Sequence, residues 1–179
     1  MIRQHPPADL ALDNPLWQLA GRYWQVPAFE AACLNAQGAG WSVSHILVAL
    51  YSSERGLAWD GVEPAVICHW RQDVTEPLRA LRQALNREQA TVAALRQCCK
   101  QAELEAERLE LAWWHALISQ AREPQNAPEP KALPTCHWQV SLLAHEALVR
   151  DNLDRLFQGS TAPLSQSIIS AIAQGALPS

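Results

Sequence analysis

A chain of 179 residues, 49% hydrophobic and only 18% charged, can bury a sizeable core and is too apolar to remain disordered as a whole. A net charge of −4 argues against the broad basic footprint of a nucleic-acid binder. The longest apolar run, Ile46 to Tyr51, is too short to cross a bilayer, and the N-terminus carries no apolar signal segment, so a soluble cytoplasmic protein with five reduced cysteines is expected.

Residues 1–12, with Pro6 and Pro7, read as a flexible arm. Asp13 or Asn14 then caps a helix that has Pro15 at its first position and Leu16, Trp17, Leu19, Ala20, Tyr23 and Trp24 on its apolar face. Pro27 opens a second helix through Phe29, Ala32, Cys33 and Leu34, which Gly38 and Gly40 end. Ser42 suits the N-cap of a third, with Val43, Ile46, Leu47, Ala49 and Leu50 inward and Gly56 as its stop. Pro64 opens a fourth through Val66, Ile67 and Trp70. Pro77 must end or kink it, because the ring removes a hydrogen bond and clashes one turn back.

After Pro77 the chain has neither Gly nor Pro until Pro124. Leu78, Leu81, Leu85, Val92, Leu95, Cys99, Ala102, Ala106, Leu109 and Trp113 follow a three-four spacing, one apolar seam along a helix over about 78–122. As one straight rod that helix would measure about 65–70 Å. A domain of this size has a gyration radius of about 16 Å. The helix must therefore break or protrude, and Asn86, with Gln89 three residues on, is the expected break. Arg79, Arg82, Arg87, Arg96 and Lys100 make the first half basic; Glu103, Glu105, Glu107 and Glu110 make the second half acidic. That split favours an antiparallel arrangement, with Arg82, Arg96 and Lys100 facing Glu103, Glu107 and Glu110 of another copy or of a neighbouring helix. Leu104, Leu111, Trp114 and Ile118 add a second strip, so the last turns should be covered on more than one side.

Residues 123–134 hold four prolines and read as an extended linker. A helix resumes near Thr135 and runs to Phe157, with Gly159 as its stop and Trp138, Leu142, Leu148, Val149, Leu153 and Leu156 in its buried stripe. Pro163 starts a last one through Leu164, Ile168, Ile169 and Ile172. No strand is expected. The fold class is thus all-α, a bundle of about six or seven helices around the long one. An arm (1–12), a helical domain (13–122), a linker (123–134) and C-terminal helices that pack on the domain (135–179) make up the chain.

Leu16 and Trp17, Ala32 to Leu34, then Trp70, Arg71, Val74, Pro77, Leu78, Arg79, Leu81 and Arg82 carry a likeness. With the acidic AELEAERLE run, this stretch resembles an uncharacterised proteobacterial family, domain of unknown function 2390. The resemblance implies a small helical bacterial protein and transfers no catalytic residue.

Cys-His-Trp occurs twice, at 68–70 and 136–138. Cys and His are zinc ligands, yet neighbours on a helix point about 100° apart, and no paired-cysteine or paired-histidine spacing supports a site. No metal and no cofactor are expected. Cys98 and Cys99 are adjacent on the long helix, where a disulfide between them would be strained. His69 and Asp73 are one turn apart, but no nucleophile motif or phosphate-binding glycine loop accompanies them. Arg71, Arg79 and Arg82 flank Pro77, and the last two could clamp a carboxylate or phosphate.

No catalytic residue is assigned. The expected role is a non-catalytic interaction or scaffold protein that binds a protein partner or itself through Val92, Leu95, Cys99, Ala102 and Leu109, with neither nucleic acid nor membrane as partner. The alternative is an apolar small molecule held in a helical pocket lined by Trp17, Trp24, Trp41 and Trp70, since eight tryptophans stand against two Phe and two Tyr. His69, Trp70, Arg71, Arg79 and Arg82 are the candidate ligand-binding residues. An enzyme site of His, Arg and Asp near Pro77 has the least support.

Overall fold

The computed structural model describes residues 5–121, 146–157 and 162–175. The linker at 123–134, the helix start at Thr135, the second Cys-His-Trp and the stop at Gly159 lie outside the described residues. Among those described there are helices and no strand, so the protein is all-α. The helices are α1 (Pro15–Tyr23), α2 (Pro27–Gly38), α3 (Val43–Glu54), α4 (Ala65–Trp70), α5 (Glu76–Ala84), α6 (Ala93–Ala121), α7 (Glu146–Phe157) and α8 (Ala162–Gly175). A π turn, Arg71–Thr75, joins α4 to α5, and a 3₁₀ turn, Ala90–Val92, leads into α6.

The helix ends follow from local chemistry. Asn14, not Asp13, caps α1: its Oδ1 accepts the backbone N–H groups of Leu16 and Trp17, each at 3.0 Å. Pro27 occupies the first turn of α2, where its missing N–H costs nothing. Ser42 sits at the N-cap of α3 in extended conformation, but its side chain makes no capping bond; only its carbonyl accepts, from Ile46 N at 3.3 Å. Gly40 (φ 93°) and Gly56 (φ 68°) end α2 and α3 in the left-handed region. There the Trp41 and Leu57 amides reach back to Ala36 O and Ser52 O at 3.0 and 2.8 Å.

The chain forms two compact units. One comprises Gln18–Val62 with the described residues after 145. In it α2 packs on α3, α3 on α7, α7 on α8 and α8 back on α2, a closed ring of four helices. Phe29, Ile46, Leu50, Leu153, Phe157 and Ile168 are fully or nearly fully buried between them. The α3 helix is central: Ser44 and every residue from Ile46 to Ser53 are buried, so it is covered all round rather than along one face.

A single buried polar residue organises this unit. Asn152 on α7 is 0% exposed. Its Oδ1 accepts the Trp59 N–H at 2.8 Å, and its amide nitrogen donates to Ser53 Oγ at 2.9 Å and Leu57 O at 3.0 Å, with Ala49 O at 3.4 Å alongside. One amide thereby fixes α7, the end of α3 and the following loop in one register. Gly61 (φ 78°) closes that loop, and a Cβ there would lie 3.1 Å from the Arg155 carbonyl oxygen.

The second unit comprises residues up to Trp17 and Glu63–Ala121. Pro77 does not end its helix. The Glu76 N–H bonds to Arg71 O, five residues back, and the backbone from Trp70 to Glu76 stays right-handed helical. The wider turn accommodates a proline in a helix that continues to Ala84. The long helix expected over 78–122 is in fact two. Leu85 is extended (ψ 122°), the Asn86 side chain accepts the Glu88 N–H at 3.0 Å, and α6 starts at Ala93. The break falls within one residue of Asn86, and α5 and α6 pack together as an antiparallel hairpin. At the end of the N-terminal arm, Asn14 Nδ2 donates to Ala11 O at 2.9 Å and Arg108 Nε to Leu12 O at 3.4 Å.

Replacing Asn152 by Ala should lower the unfolding free energy by about 2–4 kcal/mol, because the buried Trp59 N–H and the Leu57 carbonyl lose their bonds to its amide and the fully buried side chain is truncated. Urea unfolding followed by tryptophan fluorescence measures it. A loss below about 0.5 kcal/mol would show that the amide is not the key to this packing.

Candidate functional site

Of the residues singled out around Pro77, Trp70, Arg79 and Arg82 reach α6, whereas His69 and Arg71 do not. Two of the three arginines converge on one carboxylate. Arg79 Nε donates to Glu103 Oε1 at 2.8 Å, Arg82 Nη2 reaches the same oxygen at 3.2 Å, and Arg82 Nε bonds Glu103 Oε2. The second arm of Arg79 donates to Glu107 Oε1 at 2.6 Å. Glu103 and Glu107 are four residues apart on α6, one turn, so a single guanidinium can bridge them. Glu110, a further turn on and 0% exposed, accepts from Thr75 Oγ1 at 3.3 Å. Partners therefore run Thr75–Glu110, Arg79–Glu107, Arg82–Glu103, the order of an antiparallel ladder.

Arg71 takes a different set. Its guanidinium grips Glu63 in fork fashion, at 3.1 and 2.8 Å, and also bonds Glu76. The Trp70 indole N–H donates to Ala106 O at 3.0 Å, and His69 is exposed. The arginines that could have clamped an external carboxylate or phosphate thus hold carboxylates of their own chain. The sequence sets Glu103, Glu107 and Glu110 against Arg82, but it assigns no partner to Glu63 or Thr75 and does not pair Arg79 with Glu103 and Glu107. The readable signals were the charge split and the spacing of Glu103, Glu107 and Glu110, which places the three on one helix face.

Electrostatics follow from the geometry. Burial pushes the Glu103 carboxyl up, but the bonds from Arg82 and Arg79 outweigh it and hold Glu103 below the usual carboxylate range. Glu107 is raised: burial dominates, and Arg79, shared with Glu103, offsets it only in part. Hydrogen bonding to Glu63 raises Arg71, and bonding to Glu103 raises Arg82. Burial pushes the Cys33 thiol up to about 12 and, with Glu63, raises Cys68; neither thiol is poised as a nucleophile. Among the described residues no cluster of His, Cys, Asp and Glu could hold a metal ion.

The four tryptophans of the alternative reading are split between the units, each on a partner of its own. Trp17 lies under the Arg108 guanidinium (5.5 Å to the ring centroid) and Trp70 bonds α6. Trp24, 39% exposed, stands edge-on to Phe29 at 6.3 Å, and Trp41 edge-on to Phe157 at 5.0 Å.

The expected seam is divided. Cys99, Ala106 and Trp113 are buried and Val92 is half-buried, a series repeating every seven residues. Leu95 and Ala102 are exposed and Leu109 is half-buried, also seven apart. Leu111, Ala112, Trp113 and Trp114 are all buried, so that turn of α6 is covered on every side, while the residues after it are half-buried or exposed. No helix among the described residues is long and apolar enough to cross a membrane.

A family model described as "Protein of unknown function (DUF2390)" matches residues 15–113, a span that includes the whole arginine–glutamate ladder. No curated protein and no solved structure matches the chain.

Because the folded-state pKa of Glu103 lies below its unfolded value, its stabilisation is complete above the unfolded carboxylate range and is lost as pH falls through the depressed value. Glu107, raised, acts with the opposite sign, so wild type alone mixes the two. Glu103→Gln should cost about 2–3 kcal/mol at pH 7. The gap to wild type should close as pH falls below about 4. Urea unfolding of both proteins at the two pH values checks this; a gap independent of pH contradicts it.

Proposed function

The chain belongs to the DUF2390 family, whose description assigns no activity, and from that premise we propose that it is a non-catalytic protein-interaction module whose docking element is the α5–α6 hairpin. The observation that carries this reading is an inversion of the usual surface pattern. Arg79, Arg82 and Glu103 are turned inward and satisfied by each other, whereas Leu81 and Leu95 stand 50% and 53% exposed on the same hairpin. Ionisable groups held in fork-like pairs have no spare valence for acid–base or phosphate chemistry. Exposed leucines on two neighbouring helices are what a partner helix packs against.

The small-molecule alternative receives no comparable support, because each tryptophan that was to line its pocket is engaged separately. The further expectations of neither nucleic acid nor membrane as partner rest on the acidic net charge and on the lack of a spanning helix among the described residues.

The test is a comparative pull-down from lysate of the source cell, using wild type and a Leu81→Asp/Leu95→Asp double variant. Both leucines are half in water, so the variant should keep its melting temperature within a few degrees. It should lose any stoichiometric partner that wild type retains. A variant that retains the same partner removes the hairpin from the docking role, and a collapse in melting temperature shows that the leucines are core.

A further inference from the structure

Among the described residues, nearly every arginine reaches a carboxylate of its own chain or, for Arg55, the Tyr51 hydroxyl and ring. The side chains of Arg87, Arg96 and Lys100 do not, and no hydrogen bond or ion pair among the described residues engages them. All lie at the loop end of the α5–α6 hairpin: Arg87 in the reversal, Arg96 and Lys100 in the first two turns of α6.

The ladder explains why these cations are left over. Arg96 lies two turns before Glu103 and so on the same face of α6. Arg82 sits opposite Glu103, and α5 ends at Ala84, about 3 Å further along, whereas Arg96 lies about 10 Å further along. Arg96 is therefore past the last residue of α5 that could have paired with it. Glu88, the one acidic residue of the reversal, is exposed and forms no ion pair with any of them.

A merely solvated basic face does not account for Arg96. The residue is half-buried and its Nε is closed to water without an acceptor, while Nη1 and Nη2 remain open. The packed stem fixes the guanidinium and leaves its outer fork free. Such a fork takes a carboxylate in two parallel bonds, with little rotamer freedom left to lose. Lys100 adds a second charge one turn, about 6 Å, along the helix.

We propose that this tip docks a short carboxylate-rich segment of a partner protein. The proposal rests on the docking reading above and names the chemistry of the partner. The complementary segment carries acidic side chains about 6 Å apart, the spacing of alternate residues in an extended strand or of residues one turn apart in a helix. Leu104, 41% exposed and a turn after Lys100, adds an apolar contact beside them. A long polyanion fits less well. Past Lys100 the open side of α6 turns acidic, with the Glu105 side chain 50% exposed, and the chain carries a net charge of −4.

The test is a nuclear magnetic resonance titration of the isotope-labelled full chain, at low ionic strength, with a synthetic peptide of glutamates and one leucine up to about 1 mM. Wild type should show shifts confined to residues 86–104, and the glutamine analogue of the peptide should cause none. Arg87→Gln/Arg96→Gln/Lys100→Gln should weaken binding at least about tenfold. Arg150→Gln/Arg155→Gln, which removes charges from exposed ion pairs on α7, should leave it unchanged. Should Arg96→Gln lower the melting temperature, Arg87→Gln/Lys100→Gln, at exposed sites, replaces the triple variant and should still weaken binding about threefold. No shifts in wild type, binding kept by the tip variants, or equal loss in the α7 variant overturns the proposal. So does a duplex oligonucleotide bound at the same residues as tightly as the peptide. The pull-down decides the docking reading separately: a partner lost with Leu81 and Leu95, but no peptide binding here, leaves the hairpin its role and removes only the acidic partner.

Discussion

A carboxylate buried like Glu103, whose side chain keeps 8% of its exposure, would cost several kcal/mol if left alone. Arg79 and Arg82 remove that cost only if α5 lies antiparallel against α6 and in one register. The rest of the second unit depends on this constraint. It requires a reversal between Ala84 and Ala93, which Leu85 and Asn86 provide, and a rotational phase that brings Thr75, Arg79 and Arg82 to the same face. The π turn ahead of Pro77 lets the rod continue without the clash that a proline would otherwise impose.

The same constraint bears on function. A guanidinium committed to two glutamates of its own chain is a structural element. The charge that first marked Arg79 and Arg82 as ligand candidates is neutralised where it sits. The hairpin's exposed surface includes Leu81 and Leu95 as well as Lys100 and Glu105. The two kinds of surface are complementary consequences of one arrangement: inward charge fixes the register, and the fixed register lines up leucines from two helices.

Much of this could be read from particular residues. Asn14, Pro27, Gly40 and Gly56 marked helix ends because each solves a local backbone problem that recurs at such ends. The charge split set Arg82, Arg96 and Lys100 against Glu103, Glu107 and Glu110 of an antiparallel neighbour; Arg82 meets Glu103 within the chain's own α5–α6 hairpin. Sequence periodicity reports that a face is apolar but not what covers it, so the seam read as one stripe, whereas Cys99 is buried and Leu95 is half in water. Asn152 lies between Val149 and Leu153 on the buried stripe, and only the fold brings Trp59 and Ser53, both far away in sequence, to its amide. The π turn was likewise invisible, since its backbone angles remain helical and only the bond to Arg71 O distinguishes it.

The account turns on whether Arg82 and Glu103 act on each other in the folded protein. The most direct measurement is a double-mutant cycle of Arg82→Met, Glu103→Met and the pair, by urea unfolding of the full chain at neutral pH. A coupling free energy of about 2 kcal/mol is expected, the double variant losing far less than the two single losses combined. Strict additivity, with coupling near zero, would contradict the ladder and with it the register that aligns the hairpin's leucines.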